Sequence, residues 1–80
     1  MDDRNILARI GDLVAKEHEL EQRHVGDGLD EQEANRLREL EVALDQCWDL
    51  LRQRRARRSA GLDPDEAEVR PAPTVEGYRQ

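Results

Sequence analysis

The chain has 80 residues and a formal net charge of −6 at pH 7, which leaves room for one small domain. The negative charge disfavours general binding to nucleic acids or anionic membranes, and the single cysteine excludes an intrachain disulfide. No apolar run reaches the length of a membrane span, and the N-terminus lacks the apolar core of a signal peptide. We therefore expect a cytoplasmic protein that does not bind membranes.

The first predicted element is a helix over residues 4–24. Its apolar side chains recur at helical spacing along one face: Ile6, Ile10, Leu13 and Leu20. Leu7 and Val14 widen that face by one column. Asp2 and Asp3 precede the repeat, where an acidic side chain can cap the first turn and meet the positive end of the helix dipole.

Residues 25–29 form the predicted turn. Gly26 and Gly28 supply the left-handed backbone conformations that end a helix and turn the chain. Asp30 is followed three residues later by Glu33, which is the pattern of a capping box at the start of a second helix.

The second predicted helix covers residues 31–60 and carries the longest apolar repeat. Spacings of three and four, the seam pattern of a coiled coil, connect Leu37, Leu40, Leu44, Cys47 and Leu51. Gly61 suits the position just after a helix end. Because a short turn forces neighbouring helices antiparallel, the sequence predicts an all-α, coiled-coil-like hairpin of two helices over residues 1–61.

A cluster of arginines follows the apolar seam and is the main candidate for a binding site. Its members are Arg52, Arg54, Arg55, Arg57 and Arg58. They are predicted to project beyond the first helix by about one to two turns, with Asp2 and Asp3 beside the base. With Trp48 they are the predicted partner-binding residues, suited to a protein with an acidic or mixed surface. The alternatives are an RNA- or ribosome-associated regulator using the same arginines, and neutralisation by the chain's own acidic tail.

The tail, residues 62–80, contains all three prolines. Asp63 and Pro64 suit a cap and a first helical position, so a short third helix is predicted up to Val69. Residues 70–73 are predicted to be extended. Three apolar residues are candidates to dock beside Trp48: Val69, Val75 and Tyr78. A mobile acidic tail is the alternative.

Apolar residues flank the predicted seam on both sides: Leu7, Val14, Ala43, Trp48 and Leu50. This apolar face is wider than two helices can cover, so we predict a homodimer that closes a four-helix bundle. Coverage of Trp48 by the tail is the competing solution.

Catalytic chemistry has little support in the sequence. The few Ser, Thr, Cys and His residues have no partner at a meaningful spacing, and no glycine-rich phosphate loop is present. Glu21 and His24 have the spacing of a di-iron helix pair, but the expected facing residues, Ala34 and Leu37, are not ligands. We expect neither catalytic residues nor a cofactor or metal, and a metal-binding bundle is the most distant alternative.

The segment 44–56, LDQCWDLLRQRRA, resembles a family of small actinobacterial proteins known as domain of unknown function 2630. The resemblance extends to the MDD start, the Glu17-His18 pair and two tail elements, residues 69–71 and 75–78. It implies that the tail belongs to the domain, and it carries over no catalytic or ligand residues. The resulting prediction is a non-enzymatic, cytoplasmic protein-interaction or adaptor module.

Overall fold

The structure is a computed structural model that describes residues 2–23 and 28–76. It contains α1 (Asp3–Arg23), α2 (Glu31–Ser59), a 3₁₀ turn (Pro64–Glu66) and α3 (Ala72–Glu76). α1 and α2 pack against each other. Asp3, at the start of α1, bonds Arg54 near the end of α2, whereas Leu20 lines a shallow pocket with Glu33. The two helices are therefore antiparallel, and the predicted all-α hairpin is confirmed.

Local capping explains where the long helices begin and end. The side chain of Asp2 accepts a hydrogen bond from the backbone N–H of Asn5 at 2.8 Å, which caps α1. Asp30 and Glu33 form the predicted capping box in both directions at the start of α2. At the other end Gly61 has a φ of 75°, and the N–H of Leu62 donates to the carbonyl of Arg57. This is a Schellman closure of α2.

The predicted turn over residues 25–29 is described only in part. Residues 24–27 lie outside the described ranges, so Gly26 is not described. Gly28 has a φ of 73°, the left-handed conformation in which glycine avoids the strain that a Cβ would introduce.

The core lies between the two long helices and consists of Ile6, Ile10, Leu13, Leu20, Leu40, Leu44, Cys47 and Leu50. Burial of each large apolar side chain contributes roughly 1.5–3 kcal/mol. Leu51, a predicted seam residue, is only half-buried, and Leu50 is buried instead. The reason is tertiary, since Leu50 turns toward a cavity that it shares with Val69 of the tail. No described helix is both long and apolar enough to cross a membrane.

The tail packs against α2, but its local structure differs from the prediction. The predicted helix up to Val69 is a single 3₁₀ turn, capped by Asp63, and the chain between this turn and α3 is not helical. The prediction that residues 70–73 are extended is wrong in part, because α3 begins at Ala72. Pro73 is tolerated there since the first turn of a helix needs no N–H donor. Tyr78 and the side chain of Val75 lie outside the described part of the tail.

Candidate functional site

The five clustered arginines separate into two groups around α2. Successive residues of a helix are rotated by about 100°. Arg54, Arg57 and Arg58 turn toward α1 and the tail, where each makes an ion pair within the chain. Arg52 and Arg55 are exposed on another side of the helix. The predicted binding residues therefore do not form one surface.

Arg54 is the centre of the first group, and it joins three segments of the chain. Its Nε donates to Asp3 Oδ1 at 2.5 Å, and its Nη1 donates to Asp65 Oδ1 at 2.9 Å and to the Pro64 carbonyl at 3.2 Å. Arg58 donates to both carboxylate oxygens of Asp3, at 3.2 and 2.8 Å. As a result Arg54 is only 6% exposed.

Electrostatics keep these groups ionised at neutral pH. Hydrogen bonds from Arg58 and then Arg54 lower the pKa of Asp3. The hydrogen bond from Arg54 likewise lowers the pKa of Asp65, and the carboxylates of Asp3 and Asp65 raise the pKa of Arg54. Arg57 pairs with Glu66 at 3.4 Å.

These contacts correct the prediction of an unaccompanied arginine overhang. The N-terminus of α1 reaches Arg54 and Arg58, and the 3₁₀ turn folds back over Arg54 and Arg57. The physical reason is charge compensation. The last two turns of α2 carry arginines in place of the apolar seam, and acids of α1 and of the 3₁₀ turn pair with them. Neutralisation by the tail, left open from the sequence, applies to this group.

An anchor that sequence reasoning missed fixes the tail to α2. Asp49 is fully buried (0% exposed) and accepts hydrogen bonds from Arg70 Nε at 2.8 Å and Gln53 Nε2 at 2.9 Å; Arg70 Nη2 also donates to it. Gln46 and Gln53 donate to the carbonyls of Arg70 and Glu68. The available signal was a column of polar residues on one side of the apolar seam, which consists of Gln46, Asp49 and Gln53. Arg70, the first arginine of the tail, pairs with this column.

The opposite side of the hairpin carries what we call the Trp48 face, made of Leu7, Val14 and Trp48. These side chains are 51%, 46% and 46% exposed. Each lies roughly 80–100° around its helix from the buried residues. Because α1 and α2 are antiparallel, these rotations bring all three to one side, while Gln46, Asp49 and Gln53 rotate to the other. The tail therefore docks, but not beside Trp48 as predicted.

The two remaining predicted flank residues, Ala43 and Leu50, lie on the side of the hairpin where the tail docks. Ala43 and Leu50 line a cavity of about 150 Å³ with Ile6, Cys47, Val69 and Arg9. Burial raises the pKa of the Cys47 thiol, and the nearby Arg9 only opposes this shift. The thiol therefore stays protonated, which is unfavourable for nucleophilic chemistry.

The metal interpretation gains no support from the described residues. Within residues 2–23 and 28–76, no three His, Cys, Asp or Glu side chains are grouped so that they could hold a metal ion. Glu21 is exposed on α1, and His24 lies outside these ranges.

Comparison with known proteins places the chain among uncharacterised relatives. A sequence model of the family described as "Protein of unknown function (DUF2630)" matches residues 2–80. Uncharacterized protein Rv0898c of Mycobacterium tuberculosis and Uncharacterized protein Mb0922c of Mycobacterium bovis are each 56% identical over 77 residues. Each alignment covers 95% of this chain and 88% of the relative. No solved structure matches the chain.

Proposed function

The chain belongs to the DUF2630 family, whose function is unknown. We propose that this member of the family is a non-enzymatic protein-interaction module. Its contact surface is the Trp48 face together with the adjacent Arg55. The carrying observation is that three large apolar side chains remain about half-exposed on one side of a hairpin whose other side is covered by its own tail.

The composition of this surface supports a role in protein contacts. Trp and Arg are the residue types most enriched among those that dominate binding energy at protein interfaces. Trp48 offers a large apolar area, and Arg55 lies seven residues later, two turns along the same side of α2. Leu62 and Val69 are also exposed, but Leu7, Val14 and Trp48 share one side of the hairpin, and an apolar patch formed by several side chains is typical of a contact site.

The chemistry of the surface also indicates its partner. An apolar patch flanked by positive charge is complementary to an amphipathic protein surface that carries acidic residues. Arg55 is the positive group on which this argument depends, because Arg54, Arg57 and Arg58 are engaged within the chain. We propose an acidic, amphipathic protein segment as the partner.

The alternative of an RNA- or ribosome-associated regulator is less well supported. It requires several arginines to neutralise phosphates together, and three of the five make ion pairs with the chain's own acids. We place the module in the cytoplasm, in keeping with its single cysteine, Cys47, which is buried and free, and with the reducing conditions there.

Affinity capture with matched variants tests this function. The test variant combines Trp48→Ala with Arg55→Glu. The control combines Leu62→Ala with Arg36→Glu, so it also truncates an exposed apolar side chain and reverses the charge of an exposed arginine, but away from the Trp48 face. Arg54 and Arg58 are left intact because their replacement would disturb the fold. We expect the test variant to lose protein partners that wild type and control retain.

Two outcomes would contradict the proposal. The first is an identical set of captured proteins for the test and control variants. The second is capture that disappears after nuclease treatment and weakens steeply with salt, which is the behaviour of phosphate binding.

A further inference from the structure

We propose that the partner of the Trp48 face is a second copy of this chain, bound so that the two hairpins run in opposite directions about a two-fold axis. This inference rests on the proposed function and names its partner. A two-fold interface uses the same patch on both copies, so the patch must be complementary to itself.

The charges along the Trp48 face have the required pattern. Arg4 and Arg55 lie at the end where the N-terminus of α1 meets the C-terminal part of α2. Glu21 lies near the opposite end of α1, and Glu41 lies on α2 two turns before Trp48, on the opposite side of Trp48 from Arg55. Helical rotation of about 100° per residue brings all four to the side of Trp48.

These charges select one orientation of the two copies. When the hairpins run in opposite directions, the arginine end of each copy lies over the glutamate end of the other. When they run in the same direction, arginines face arginines and glutamates face glutamates, which is repulsive. The copy itself thus supplies the acidic, amphipathic surface that Arg55 and Trp48 require.

The size of the molecule is sufficient for such an interface. The protein measures 50 × 24 × 17 Å, so a long side can bury the roughly 800 Å² per partner that a standard interface needs. Packing the two hairpins forms a four-helix arrangement in which Leu7, Val14 and Trp48 are enclosed and both tails remain on the outside.

The first test uses the unmodified protein. Sedimentation velocity is measured at protein concentrations from about 1 to about 100 µM, a range that brackets a dissociation constant on the order of micromolar. We expect twice the chain mass at the highest concentration. Trp48 is the only tryptophan, so its fluorescence reports this face directly. Its emission should shift to shorter wavelength over the same concentration range as Trp48 leaves water. A single-chain mass at 100 µM with unchanged emission would overturn the proposal.

Variants then test which surface is used. Trp48→Ala should weaken the dimer about thirtyfold or more, as expected for a central tryptophan. Leu62→Ala, which truncates an exposed apolar residue at the end of α2, should leave the dimer unchanged. If both changes altered the dissociation constant of the dimer equally, the Trp48 face would be excluded as the dimer interface. Circular dichroism confirms that each variant remains helical.

Disulfide trapping tests the orientation. Mixing Arg4→Cys with Glu21→Cys should give a mixed disulfide between chains when the hairpins run in opposite directions. Arg4→Cys alone should give such a product only when they run in the same direction, which would refute the proposed orientation. The wild type, whose Cys47 is buried, is the control.

The inference and the proposed function fail in distinguishable ways. A monomeric wild type whose captured partners depend on Trp48 and Arg55 refutes the second copy and leaves the function standing. A dimer that survives the Trp48→Ala change, with captured proteins also unaffected, refutes both.

Discussion

Arg70→Ala tests the anchor that holds the tail on α2. The change removes the guanidinium that bonds Asp49, whose side chain is fully buried, while Gln53 still donates to it. Removing one partner of a buried ion pair costs about 3–5 kcal/mol. Because 37% of the Arg70 side chain is exposed, water can reach the vacated site, and we expect a smaller loss of about 2–3 kcal/mol.

The assay is urea unfolding followed by circular dichroism at 222 nm. Asp49→Ala should cost less than Arg70→Ala, because it removes the buried charge and lets the guanidinium of Arg70 return to water. The double variant should be no less stable than Arg70→Ala alone. Arg36→Ala, an exposed arginine of α2, should stay within about 0.5 kcal/mol of wild type. An Arg70→Ala variant as stable as Arg36→Ala would show that the anchor does not hold the tail.

Three further predictions follow from local chemistry. The lowered pKa values of Asp3 and Asp65 mean that their contribution to stability is present above the ordinary carboxyl pKa of about 4 and is lost as the pH falls through their folded-state values. Asp3→Asn should therefore flatten the decrease in unfolding free energy on acidification, and an unchanged pH profile would contradict the pairing. Cys47 should react with iodoacetamide far more slowly in the folded chain than in urea, and equal rates would refute its burial. Gly11→Ala should raise the unfolding free energy by about 0.5–1 kcal/mol, since a Cβ at this helical position meets no atom within 4 Å; a loss of stability would refute that open space.

Local signals in the sequence were sufficient for the helices and their ends. The Asp30–Glu33 capping box and the glycine after α2 depend on neighbours within a few residues, and both occur as predicted. The apolar period likewise identified most of the core. Such features can be read locally because the backbone groups at a helix end must find partners nearby.

The candidate site was harder to predict because it depends on distant residues. Arg54 meets Asp3 across 51 positions in sequence, and Asp49 meets Arg70 across 21. The arginine cluster could be recognised from composition, but the pairing of Arg54, Arg57 and Arg58 with acids of α1 and the tail could not. Likewise, the sequence indicated an apolar surface too wide for two helices, without showing that the tail covers the Leu50 side and leaves Trp48 exposed.

Site-specific photo-crosslinking in living cells tests the central claim, that this protein acts through the Trp48 face. A photoreactive amino acid replaces Leu7 on that face in one variant, and Leu62 in a control of similar exposure. The account predicts crosslinked products between chains from position 7 and essentially none from position 62. Products from position 62 alone, or equal yields from both positions, would contradict it.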